Sequence, residues 1–185
     1  MRTSRTLTAA AALTALAALT GCGGEGEAET GSGGKSLPKA KDVAAMERFV
    51  NQYTQCNDLE MNPPEKRHGG TAFEAVPKGA EAGVKEQVYC DAEKGHMALV
   101  AISDMKKFQQ ALKANADAGK EGDAIALVGA DFAVIPNEGG GLRELKSSGL
   151  LVASCNAKYN SEIPSGYMKR DAKVAGCILT DYLPA

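Results

Sequence analysis

Residues 86–102 read EQVYCDAEKGHMALVAI, and they decide the fold. The segment predicts one strand over 86–91, a turn at 92–94 and a second strand over 95–102. Residues 97–102 are apolar at every position, the pattern of a strand buried on both faces. Ser103 or Asp104 then caps a helix, because a short polar side chain accepts from the free N–H groups of a first turn. Met105, Phe108, Leu112 and Ala116 share one face of that helix, and Gly119 and Gly122 break it. Residues 124–128 and 131–135 predict a further hairpin around Gly129-Ala130. A short helix over 142–146 ends at Gly149, and strands over 150–154 and 176–180 follow. Upstream, Val43, Met46, Val50 and Tyr53 recur at helical spacing with Phe49 beside them, so a helix runs toward Cys56. The order α-β-β-α-β-β-α-β-β predicts an α+β fold, a mostly antiparallel sheet with helices packed on one face. Residues 57–85, with Pro63-Pro64, Gly69-Gly70 and Pro77, read as one long loop, a feature uncommon in small domains and often functional.

The whole chain has 185 residues, 44% hydrophobic and 24% charged, which suits a folded domain and not a disordered one. Its net charge of −2 carries no basic footprint for nucleic acid, so no nucleic-acid partner is expected. Tryptophan is absent and aromatic residues make up 5%, which disfavours a broad stacking platform.

The first 22 residues carry an address. Arg2 and Arg5 form a basic start, and residues 7–20 contain only Ala, Leu and Thr. That run is too short for a membrane span, which needs about 20 residues, and has the length of a signal-peptide core. Leu19-Thr20-Gly21-Cys22 follows, and it resembles the lipobox of bacterial lipoproteins. Membership of that class implies a diacylglyceryl group on the Cys22 thiol, cleavage just before it, and an anchor on the extracytoplasmic face of the cell membrane. Loss of Arg2 and Arg5 takes the net charge from −2 to −4. The lipid, rather than a basic patch, is then expected to hold the protein at an anionic surface. Residues 22–40 hold six Gly, two Ser and three Glu after Cys22 and predict a flexible tether. The domain organisation expected is therefore 1–21 signal peptide, 22–40 tether and 41–185 domain.

Residues 88–136 also resemble a pattern common in actinobacterial envelope lipoproteins. It consists of a Cys-bearing strand (Val88-Tyr89-Cys90), an apolar strand, a helix, a Gly-rich turn and a hairpin (Val128-Gly129-Ala130-Asp131-Phe132-Ala133-Val134). This likeness implies the packing of such domains and brings no activity with it.

Setting Cys22 aside for lipid leaves four cysteines, an even number for an exported chain. Four allow three pairings. Neighbouring elements in the expected topology favour Cys56 with Cys90 and Cys155 with Cys177. Each such bond contributes about 3–4 kcal/mol by restricting the unfolded chain. No CxxC pair is present, and His68 and His96 stand apart as surface or turn residues, so neither metal nor redox cofactor is expected.

Catalytic patterns are sparse. Ser103-Asp104-Met105-Lys106 matches S-x-x-K at a helix start, and Ser154-Cys155-Asn156 imitates S-x-N. The K-T-G element that completes the penicillin-binding and β-lactamase set is missing. Gly139-Gly140-Gly141 lacks the Lys-Ser/Thr of a phosphate loop and has only Arg143 near it. Lys66-Arg67-His68 is a small basic cluster in the long loop, where binding residues concentrate. The expectation is a non-enzymatic binding or interaction module of the envelope with an unnamed ligand or partner protein. The alternatives are a small serine hydrolase using Ser103 and Lys106, or a carrier of a small ligand.

Overall fold

Asp42 starts the first helix because its carboxylate accepts the Ala45 N–H at 2.8 Å. The computed structural model describes residues 36–62, 73–120, 125–137 and 140–183. Helix α1 (Val43–Val50) buries Met46 and Val50, one turn apart on one face. It stops short of Cys56 because Asn51 closes a loop instead. The Asn51 side chain accepts from Cys56 N–H at 2.9 Å and donates to the Cys56 carbonyl at 3.1 Å. Strand β1 (Asn57–Glu60) is exposed at all four positions.

A 3₁₀ turn (Ala80–Ala82) leads into β2 (Val84–Asp91), which pairs with β3 (His96–Ile102). Helix α2 (Met105–Asp117) follows, capped by Asp104, whose carboxylate accepts from Lys106 and Lys107 N–H. Strands β4 (Ala126–Val128) and β5 (Phe132–Pro136) form the second hairpin. The short helix expected at 142–146 is a 3₁₀ turn (Glu144–Ser148), ended by left-handed Gly149 and filling the core with Leu145. Strand β6 (Leu151–Ser154), helix α3 (Ala157–Glu162) and the β7 (Lys169–Asp171)/β8 (Ile178–Thr180) hairpin complete the chain.

Among the described residues all pairings are antiparallel, and the eight strands lie in the order β1-β2-β3-β5-β4-β6-β8-β7. The α+β class and the antiparallel sheet agree with the sequence. The placement of the helices does not: they cover both faces. Met97, Leu99 and Ala101 of β3 pack with Met46 and Val50 of α1 and with Leu145. Ala98, Val100 and Ile102 point the other way and pack with Phe108 of α2 and with Ala82. The physical reason is already in β3, because a strand buried at every position needs cover on two sides.

Two further corrections concern segments taken as unstructured. The stretch 57–85 is not one loop. It contains β1 and a 3₁₀ turn, and Phe73, Val76, Ala82 and Val84 are buried against the α2 face. Phe73 meets the Tyr89 ring edge-on at 5.1 Å. The tether assigned to 22–40 also ends too late. Leu37 and Ala40 pack into the two core clusters, the Pro38 carbonyl accepts from Ala130 N–H at 2.8 Å, and Asp131 accepts from Ala40 N–H at 2.8 Å. Gly129 is needed here, since a Cβ would collide with the Phe132 ring and the Pro38 carbonyl.

Candidate functional site

Both expected disulfides are present, Cys56–Cys90 and Cys155–Cys177. The first joins the end of the α1 loop to β2 inside the core. The second joins the end of β6 to the residue preceding β8, with the Cys155 sulfur 3.7 Å from the Gln109 carbonyl of α2. Two such bonds fit folding in an oxidising compartment outside the cytoplasm. Among the described residues no helix is long and apolar enough to cross a membrane.

The register gives the sheet two ends. At one, the chain enters through residues 37–40 beside the β4–β5 turn. The far end carries the β2–β3 turn, the segment after β5 and the turn after α1. These three pieces converge through glycine. A Cβ on Gly140 would collide with the Lys94 carbonyl, and one on Gly141 would lie 2.6 Å from Thr54 Cγ2. Gly140 and Gly141 therefore serve loop packing, and Gly139 lies outside the described residues. A shallow groove of about 340 Å³ opens there, lined by residues 51–55, Glu93 and Glu144. Its lining of amides, hydroxyls and two carboxylates offers both hydrogen-bond donors and acceptors. The Asn51–Cys56 bridge and the Cys56–Cys90 bond stiffen its floor.

His96 sits just inside this end and corrects the expectation of a surface histidine. It is buried, and its Nδ1 lies 2.7 Å from an Asp91 carboxylate oxygen. Asp91 and His96 are cross-strand partners that close the hairpin where the turn begins. The His96 carbonyl accepts from Asn137 N–H at 2.8 Å, and both residues are buried. Among the described residues no group of three or more His, Cys, Asp or Glu is placed to hold a metal.

Ser103 and Lys106 stand at the other end, where α2 begins. The cap is Asp104, not Ser103. The Ser103 hydroxyl donates its single proton to the Gly83 carbonyl at 3.1 Å, and Ser103 and Lys106 are both exposed. Ser154 and Asn156 are likewise explained by backbone contacts. Asn156 caps α3 by accepting from Lys158 and Tyr159 N–H, and Ser154 Oγ accepts from Asn156 N–H. Cys22 and Lys66-Arg67-His68 lie outside the described residues.

One cluster is invisible in the sequence. Tyr159 of α3 meets Tyr182, and Tyr182 meets Tyr167, beyond the Lys169–Thr180 end of the β7–β8 hairpin. The Tyr167 and Tyr182 ring centroids are 4.8 Å apart, and those of Tyr159 and Tyr182 5.9 Å. The Tyr159 hydroxyl donates to the Tyr182 carbonyl at 2.8 Å. Burial, with Tyr182 alongside, pushes the Tyr159 phenol up to about 12. No local spacing announces this group, because three separate elements supply it. Comparison with protein-family models, with curated proteins and with solved structures returns no match.

Proposed function

We propose that this chain is a lipid-anchored, non-enzymatic binding module on the extracytoplasmic face of a cell membrane. Leu19-Thr20-Gly21-Cys22, behind an uncharged run, supports the anchor. The two disulfides support the compartment. The observation that carries the binding reading is the division of labour between the two ends of the sheet. The chain enters at one end, while three loops converge on a stiff polar groove at the other. The groove lies at the end of the sheet opposite residues 37–40, where it is open to a partner in the envelope. Binding residues are disproportionately carried on loops positioned by a rigid scaffold, as these are.

Mass spectrometry of the mature N-terminal peptide from membranes tests the anchor. A diacylglyceryl mass on Cys22, lost in Cys22→Ala, is the expected result, and an unmodified thiol overturns it. Binding is tested by capture from membrane and wall extracts with wild type and with a Gln52→Ala/Glu93→Ala double variant. A component retained by the first and lost by the second is expected, and equal retention places recognition elsewhere.

A further inference from the structure

We propose that Cys155–Cys177 is a thiol–disulfide exchange site, a redox clasp on the β7–β8 hairpin that a protein dithiol opens while Cys56–Cys90 stays closed. The site lies away from the groove, and its chemistry does not use the anchor.

All four sulfurs belong to buried residues, so a thiolate reaches either bond only after part of the protein opens. The two bonds differ in what has to open. Cys56 and Cys90 share a core cluster with Met46, Val50, Met97 and Leu99. Cys90 also sits within β2, which is paired to β3 from Val84 to Asp91. Exposing that bond means parting α1 from the sheet. Cys155 lies where β6 passes into α3, and Cys177 immediately precedes β8. Here α3 buries no residue, β7 is Lys-Arg-Asp, and ladders of three residue pairs join β8 to β6 and β7 to β8. Lifting this flank exposes Ile163, Leu179 and Thr180 and leaves β3 and β5 in place.

The contact beneath the β7–β8 turn is polar. Gln109 of α2 is buried, its Oε1 accepts Lys173 N–H at 2.7 Å, and its carbonyl lies 3.7 Å from the Cys155 sulfur. The turn's other bonds stay within the flank. Ala172 N–H donates to the Cys177 carbonyl, Cys177 N–H to the Val174 carbonyl, and the Asn160 amide to the Gly176 carbonyl. When the turn lifts, water replaces the bond at Gln109, so the exchange costs far less than uncovering an apolar core. The covalent bond is therefore the main attachment of the turn to the centre of the sheet.

Opening follows ordinary exchange chemistry. One thiolate of the dithiol attacks a sulfur of the pair. The Cys155–Cys177 bond breaks, a mixed disulfide forms, and the other cysteine leaves as a thiolate. The second thiol of the reductant then displaces the bound cysteine and closes the reductant's own disulfide. Two electrons pass to the pair, and the two protons its sulfurs take up match the two that the reductant's thiols release. With the hairpin free, Val152, Ala153 and Ser154 of β6 lose their partners Thr180, Leu179 and Ile178. The closed sheet ends on β7, short and charged, a form that resists strand addition. The open sheet ends on β6, Leu-Val-Ala-Ser, with unpaired backbone groups. The clasp thus exchanges a blunted edge for an apolar one.

The test uses the oxidised mature chain from residue 22 carrying Cys22→Ala, which removes the one cysteine outside the two pairs. It is held in native buffer with dithiothreitol, quenched at intervals with iodoacetamide and mapped by mass spectrometry. Alkylation of Cys155 and Cys177 should run about a hundredfold faster than that of Cys56 and Cys90. Hydrogen exchange of the two-electron-reduced species should rise over 151–180 and stay slow over 97–102. Gln109→Leu should speed opening of the flank bond about fivefold and leave the Cys56–Cys90 rate unchanged. Reduction of both bonds at one rate overturns the proposal, because the reductant then acts through global unfolding. So does earlier reduction of Cys56–Cys90, equal acceleration of both bonds by Gln109→Leu, or a reduced species whose 157–180 amides stay protected. Reduced thioredoxin should open the same bond. Its failure where dithiothreitol succeeds overturns a protein dithiol as the partner. Glutathione disulfide should restore the bond and the exchange pattern, and failure to re-form it overturns a reversible clasp.

Discussion

The centre of the sheet and its β8–β7 flank hold themselves together by different means. In the centre, every residue of β3 and β5 is buried, and helices cover both faces. In the flank, α3 buries no residue, β7 is charged and largely exposed, and Ile163, Cys177, Leu179 and Thr180 supply the buried contacts. Each region has one disulfide, but the bonds act in different settings. Cys56–Cys90 lies within a cluster that apolar packing already fixes. Cys155–Cys177 holds a segment that has little packing of its own. A crosslink restricts the unfolded chain in both cases, yet in the flank it also substitutes for a core.

The largest effect should come from the centre. Phe132→Ala removes a fully buried ring that packs edge-on against Phe49 at 5.3 Å. It should cost about 3–5 kcal/mol in a urea titration. A loss below about 1 kcal/mol would mean the centre tolerates cavities and the contrast is overstated.

Next come the disulfides. With separations of 34 and 22 residues, replacing either pair by alanine should cost about 3–4 kcal/mol. Hydrogen exchange sharpens the difference. Loss of Cys155–Cys177 should open the amides of α3, β7 and β8 while β3 and β5 stay protected. Loss of Cys56–Cys90 should lower protection evenly. The same pattern in both variants would break the comparison.

A smaller effect is expected where the chain enters. Asp131→Ala removes the acceptor of Ala40 N–H and should cost about 1–2 kcal/mol. Limited proteolysis should then cut closer to α1. Unchanged cleavage would show that Leu37 and Pro38 hold the segment without it.

The smallest is a pH effect in the flank. The Tyr159 phenol is raised from 10.0 to about 12, chiefly by burial. Between those values the unfolded chain sheds the proton while the folded chain keeps it. Stability should therefore fall as pH rises through this window. Tyr159→Phe should flatten that fall and remove the late step from a tyrosinate absorbance titration. An unchanged titration would assign the step to Tyr89, whose phenol burial also raises.

The legible elements were those whose side chains carry the burial. Met46 and Val50, residues 97–102, Phe108 and Leu151 repeat apolar residues at the period of the element they build. Strand β1 shows no such repeat because all its positions face water. Strand β7 reads Lys-Arg-Asp, and α3 has only the Asn156 cap to announce it. These elements exist because a neighbour offers hydrogen bonds, and no local pattern records a neighbour. The same reason hid the tyrosine cluster and the burial of His96. The Ser103 and Lys106 pattern was visible, but not the Gly83 carbonyl that accepts the Ser103 hydroxyl hydrogen bond.

By itself, the sequence determined the α+β class, the central hairpins, the α2 helix and an even set of four cysteines for disulfides, because periodicity and cysteine parity are properties of the chain; which cysteines pair was settled by the fold. Only the tertiary structure decided that helices cover both faces and that residues 37–40 belong to the domain. It alone brought Tyr159, Tyr167 and Tyr182 together, and set the loops and the entering chain at opposite ends of the sheet. Those facts depend on which distant segments meet, and burial is settled by that meeting rather than by local composition.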